Sequence, residues 1–93
     1  MTDPRAQASI DHAVAVDRAC PTLWHYVGGA LRLTPASDAL CYRRWLATCA
    51  LTDLRVVLAD ETRSARAVER NTDRLRRNTR ALIDELRRYR STS

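Results

Sequence analysis

The stretch LTDLRVVLADETRSARAVERNTDRLRRNTRALIDELRRY, residues 51–89, decides the fold. It contains neither glycine nor proline, the two residues that most readily stop a helix. With Leu51 as position a of a heptad, the a and d positions read Leu51, Leu54, Leu58, Glu61, Ala65, Val68, Thr72, Leu75, Thr79, Leu82, Leu86 and Tyr89. Nine of these twelve are apolar, and the phase never slips. Of the fourteen b, c and f positions from Ala59 to Arg88, eleven are charged and three are alanine. A stripe this narrow, repeating every 3.5 residues, reads as a coiled-coil seam rather than a broad core face. The expected oligomer seam is Leu51, Leu54, Leu58, Val68, Leu75, Leu82, Leu86 and Tyr89.

Glycine and proline remain absent back to Ala36, so the spacing predicts one long helix over 36–90, about 80 Å at 1.5 Å per residue. Its weakest point is Asp60–Ser64, where helix propensity is low and Glu61 falls on the seam. Before Ala59 the apolar residues, among them Leu40, Tyr42, Trp45, Leu46, Cys49 and Val56, lie on more than one face. That is the pattern of a core helix, and Trp45 on it and Trp24 on the short helix before it are the expected core anchors.

Proline punctuates the first third. Asp3-Pro4, Cys20-Pro21 and Thr34-Pro35 each put proline where a helix can begin, with Asp3 and Thr34 as N-cap residues. A first helix is expected over Pro4–Ala19 and a shorter one from about Pro21 to Leu31, bent or closely packed at Gly28-Gly29. No strand is expected. The fold class is therefore all-α: short N-terminal helices packed on one long C-terminal helix with coiled-coil heptads, assembled as a helical-bundle dimer. Residues 1–59 form its helical core region and 60–93 its Arg-rich amphipathic helix, in one domain.

A chain of 93 residues has a small core, and further support comes from disulfides, a metal or a partner. The cysteines are three, Cys20, Cys41 and Cys49, and no secretory signal is legible, so reduced thiols and a cytoplasmic location are expected. No pair among His12, Cys20, His25, Cys41 and Cys49 has zinc-ligand spacing, so neither metal nor cofactor is expected. No apolar run approaches a membrane span. A partner helix, first of all a second copy of the chain, is left as the expected support.

The net charge is +5 and all sixteen basic residues are arginine. Ten of them lie in residues 60–93 against six acids. On a helical wheel Arg63, Arg66, Arg70, Arg74 and Arg77 gather within a narrow arc opposite the seam. Like charges four apart, as in Arg66, Arg70 and Arg74, cost about 0.2–0.5 kcal/mol per pair, so local stability does not select them. Such a row suits phosphates or an acidic protein face. No aromatic residue stands beside it, which argues against single-strand stacking. No Gly-rich phosphate loop, partnered serine or carboxylate pair points to catalysis. The expected function is a non-enzymatic helical interaction and oligomerisation module acting as adaptor or regulator. The alternatives are a basic regulator binding nucleic acid along the arginine stripe, and a small helical enzyme or ligand binder with a cavity near Gly28-Gly29.

Overall fold

The computed structural model describes the backbone of residues 3–21, 24–33 and 35–92, and the side chains of these except 24–27, 33, 35–37 and 92. In chain order they form α1 (Pro4–Ala19), β1 (Trp24–Val27), β2 (Ala30–Leu33), α2 (Pro35–Ala59) and α3 (Ala65–Thr92). The protein is mostly helical, and its two longest helices, of 25 and 28 residues, pack against each other.

α1 starts where its sequence says it should. The Asp3 carboxylate accepts the backbone N–H groups of Arg5 at 3.0 Å and Ala6 at 3.2 Å, and Pro4 occupies the first turn. Its buried face is Ala6, Ile10 and Ala13. Two of these are alanine, so the helix backbone can lie close to its neighbours.

Residues 24–33 correct the expectation of a second helix from Pro21 to Leu31. They form an antiparallel hairpin in which Trp24 pairs with Leu33 and Val27 with Ala30. Gly28 and Gly29 have φ of 57° and 80°. Positive φ at both central residues is the requirement of a type I′ turn, the two-residue connection that matches strand twist. A Cβ built on either glycine meets nothing within 4 Å, so the pair is there for its dihedrals and not for close packing. The expected anchor Trp24 and the expected cap Thr34 lie outside the described side chains.

The unbroken helix over 36–90 is likewise corrected. The chain turns at Asp60–Ser64 and returns antiparallel. Asp60 accepts from both the N–H and the hydroxyl of Thr62, and Ser64 caps α3 by accepting the Ala67 N–H at 3.1 Å. Side chains made the turn without glycine or proline. Glu61, expected on the seam, is exposed in this turn.

The core has two layers. Ala6, Ile10, Ala13, Ala50, Leu54, Val68 and Leu75 form the one near the α2–α3 turn. Leu40, Ala47, Leu82 and Leu86 form the other, with Val16, Cys20, Cys41 and Tyr89 packed against it. The buried residues of α3, namely Val68, Thr72, Leu75, Thr79, Leu82 and Leu86, alternate at spacings of four and three. The stripe legible in the sequence is thus covered by α1 and α2 of the same chain. Leu51 and Leu58 pack half-buried on the first layer. Trp45, expected in the core, is 60% exposed.

Candidate functional site

α1 runs parallel to α3. Arg5 pairs with Asp73 at 2.8 Å at one end, and Arg90 donates to the Ala19 carbonyl at 3.5 Å at the other. α2 is held to both neighbours by charge, Arg44 to Asp17 at 2.7 Å and Arg74 to Asp53. The Asp17 hydrogen bond also raises the Arg44 pKa above its ordinary value, against a smaller opposing effect of burial.

This frame divides the arginine stripe. Arg66, Arg70 and Arg77 stand exposed on the outward side of α3. Among the described residues none of the three has an ion-pair partner. Arg74 is turned to α2 by Asp53, and Arg63 lies before the helix and donates to the Asp60 carbonyl at 3.1 Å. Three of the five expected phosphate contacts therefore share a face, and two are engaged elsewhere.

A second basic surface could not be read from α3 alone. Between α1 and α3 lies an open groove of about 970 Å³. Arg5, Ser9 and His12 enter it from α1, and Arg76, Arg77 and Arg80 from α3. Its floor is Ala8, Ile83 and Thr79. Four guanidiniums face one lining carboxylate, Asp73. The signal that could have found it is the four-residue repeat Arg76–Arg80 beside Ile83, together with Arg5 and His12 on one side of α1.

The third feature is the outer face of α2. Tyr42, Trp45 and Val56 are 56%, 60% and 65% exposed, opposite the buried Leu40, Ala47, Ala50 and Leu54. The Tyr42 and Trp45 rings lie 6.3 Å apart, tilted by 31°, and the Arg43 guanidinium sits 5.9 Å from the Tyr42 ring centre. The half-buried Cys49 lies on the same line. Because α2 is apolar on several faces, its sequence puts these residues inside; in the structure Tyr42, Trp45 and Val56 stand exposed, on the side away from Leu40, Ala47, Ala50 and Leu54.

The three cysteines are free thiols. Cys20 donates to the Val16 carbonyl at 3.4 Å, and burial raises its pKa above the ordinary thiol value, with Arg44 opposing. It packs against the second core layer as a small apolar residue. Among the described residues no group of three His, Cys, Asp or Glu is placed to hold a metal ion, and no helix is long and apolar enough to cross a membrane. Neither Gly28 nor Gly29 lines the groove between α1 and α3.

No protein-family model, no curated protein and no solved structure matches the chain.

Proposed function

We propose that this chain is a non-enzymatic helical interaction module that pairs with a second copy of itself through the outer face of α2. The observation that carries the reading is the exposure of Tyr42, Trp45 and Val56 along one line of a helix whose other side is already buried. Contiguous exposed apolar surface marks interaction sites, and Trp and Tyr are the residues that most often carry binding energy there.

A second copy fits because Tyr42, Trp45, Cys49, Thr52 and Val56 recur at alternating spacings of three and four. That repeat lets two helices pack along each other for about 20 Å. Arg55 flanks this line at an exposed position of α2, where it can meet a carboxylate of a facing helix. Arg55 has no ion-pair partner among the described residues of its own chain. An interface of one helix per chain is at the small end of stable contacts, which sets the expected dissociation constant at about micromolar. The pair would present two copies of the basic side of α3, which suits an adaptor or regulator.

Sedimentation equilibrium tests this. Wild type is expected as a dimer at about 100 μM, and the Tyr42→Ser, Trp45→Ser double variant as a monomer whose melting temperature matches that of dilute, dissociated wild type. A wild-type monomer at that concentration overturns the reading.

A second reading rests on a separate observation, the exposed Arg66, Arg70 and Arg77, which have no ion-pair partner among the described residues. They span about 16 Å along α3, a reach that suits the phosphates of a nucleic-acid duplex.

A further inference from the structure

The groove between α1 and α3 belongs neither to the outer face of α2 nor to the Arg66–Arg70 end of α3. We infer that it is a binding site for a small anionic amphiphile, a phosphate head on a short apolar body. Three observations on the chain lead there.

The first is charge. Arg76 and Arg77 have no ion-pair partner among the described residues, and Arg80 meets Asp84 only at 3.6 Å. Neighbouring guanidiniums with so little compensation repel one another, and a phosphate between them converts that repulsion into charge-assisted hydrogen bonds. His12 adds a ring N–H from the opposite wall, while the Ser9 hydroxyl donates to the Arg5 carbonyl at 2.9 Å.

The second is the floor. Ala8 and Ile83 are apolar, and Thr79 beside them is 2% exposed with a hydroxyl that has no hydrogen-bond partner among the described residues. A bare inorganic ion leaves this floor wet. A ligand with a hydrocarbon portion covers it. The volume, about 970 Å³, lies within the range of small-molecule sites, roughly 300–1,000 Å³.

The third is length. On α1 the groove extends only from Arg5 to His12, about 10 Å of helix. A partner helix would bring apolar anchors at i, i+3, i+4 and i+7, and two apolar side chains on the floor do not cover them. A short alkyl or aryl body needs no more than they offer.

The same chemistry could be presented by a membrane lipid or by a free metabolite, so the test uses both. Titration calorimetry compares hexyl phosphate, inorganic phosphate, and phosphatidylcholine vesicles containing phosphatidic acid. Hexyl phosphate is expected to bind at least about tenfold more tightly than inorganic phosphate, because only it covers the floor. Arg76→Gln with Arg80→Gln should weaken hexyl phosphate about tenfold or more, at unchanged melting temperature. Ile83→Ser should weaken hexyl phosphate while leaving inorganic phosphate as it was. Binding of hexyl phosphate without the vesicles assigns a soluble ligand, and binding of both assigns a lipid head. Equal affinities for the two phosphates, or an unchanged affinity in the arginine double variant, overturn the site. Arg66→Gln with Arg70→Gln is the control that separates this groove from the nucleic-acid reading, and it should leave hexyl phosphate binding intact.

Discussion

Asp60 accepts the Thr62 backbone N–H at 2.9 Å and the Thr62 hydroxyl at 2.7 Å, and these two bonds close the turn that folds α3 back onto α2. They also hold the Asp60 carboxyl below its ordinary pKa, the hydroxyl bond contributing first and the N–H second. A carboxyl with a lowered folded pKa adds stability above its unfolded pKa and loses it as the pH falls through the folded value. The melting temperature should therefore drop on acidification, and part of the drop should trace to Asp60. Asp60→Asn keeps an oxygen that accepts both bonds but does not titrate. Thermal melts between about pH 6 and pH 2 should show a shallower decline in this variant. Identical profiles would remove Asp60 from the account.

The core is the next quantity to measure. Leu54 and Leu75 are 0% exposed and belong to one layer. Each Leu→Ala change should cost about 2–5 kcal/mol in denaturant unfolding. For a domain of this size, that is a large share of the total stability. Trp45→Ala, by contrast, should cost less than about 1 kcal/mol in the monomer, since the ring is 60% exposed. A Trp45 loss as large as that of Leu54 would mean the ring is buried in solution. Comparing dilute and concentrated samples then tells whether a second copy buries it.

The contrast between those residues shows where the sequence was legible. The bounds of α1 follow from Asp3-Pro4 and the apolar spacing, and the structure reproduces them at Pro4–Ala19. The buried face of α3 follows from its repeat. What the repeat does not carry is the identity of the covering surface, because an apolar stripe is equally satisfied by its own chain or by another. The turn at 60–64 decided that question, and its signals were polar side chains rather than glycine or proline. The hairpin escaped for a different reason: strands of four residues are too short to establish a period, so Gly28-Gly29 between Val27 and Ala30 was the usable cue. At the candidate sites, the arginine spacing was readable but its division was not. Arg74 is drawn away by Asp53, twenty-one residues earlier, and Arg5 enters the groove only because α1 runs parallel to α3. Both are tertiary facts.

Thr72 and Thr79 stand at seam positions, each 2% exposed, with hydroxyls that have no hydrogen-bond partner among the described residues. An unsatisfied buried hydroxyl costs about 1–3 kcal/mol, whereas a methyl of the same shape costs nothing of that kind. Thr72→Val should therefore raise stability by about 1 kcal/mol, and Thr79→Val by a similar amount. Urea unfolding at fixed protein concentration measures both. A destabilised Thr72→Val protein would indicate that the hydroxyl is satisfied in solution, by water or by a backbone carbonyl.

Arg66, Arg70 and Arg77 line the exposed side of α3. If Arg66, Arg70 and Arg77 contact the phosphates of a duplex, the logarithm of affinity should fall with the logarithm of salt by about 0.9 per phosphate neutralised, or about 2.7 for the three. Arg66→Gln with Arg70→Gln should flatten that slope by about 1.8. Neither residue packs in the core, and glutamine is nearly as good a helix former as arginine, so the fold should be undisturbed. Removing two like charges four residues apart should even stabilise the helix by a few tenths of a kcal/mol. Binding and stability then move in opposite directions, which no unfolding artefact reproduces. Arg74→Gln should behave differently: Arg74 is committed to Asp53, so its loss should lower the melting temperature and change the salt slope little. A slope that falls equally for Arg74 and Arg66 would place the phosphates across α2 as well as α3. Wild type that fails to bind duplex at about 50 mM salt would exclude this partner and leave the exposed arginines to an acidic protein or to solvent.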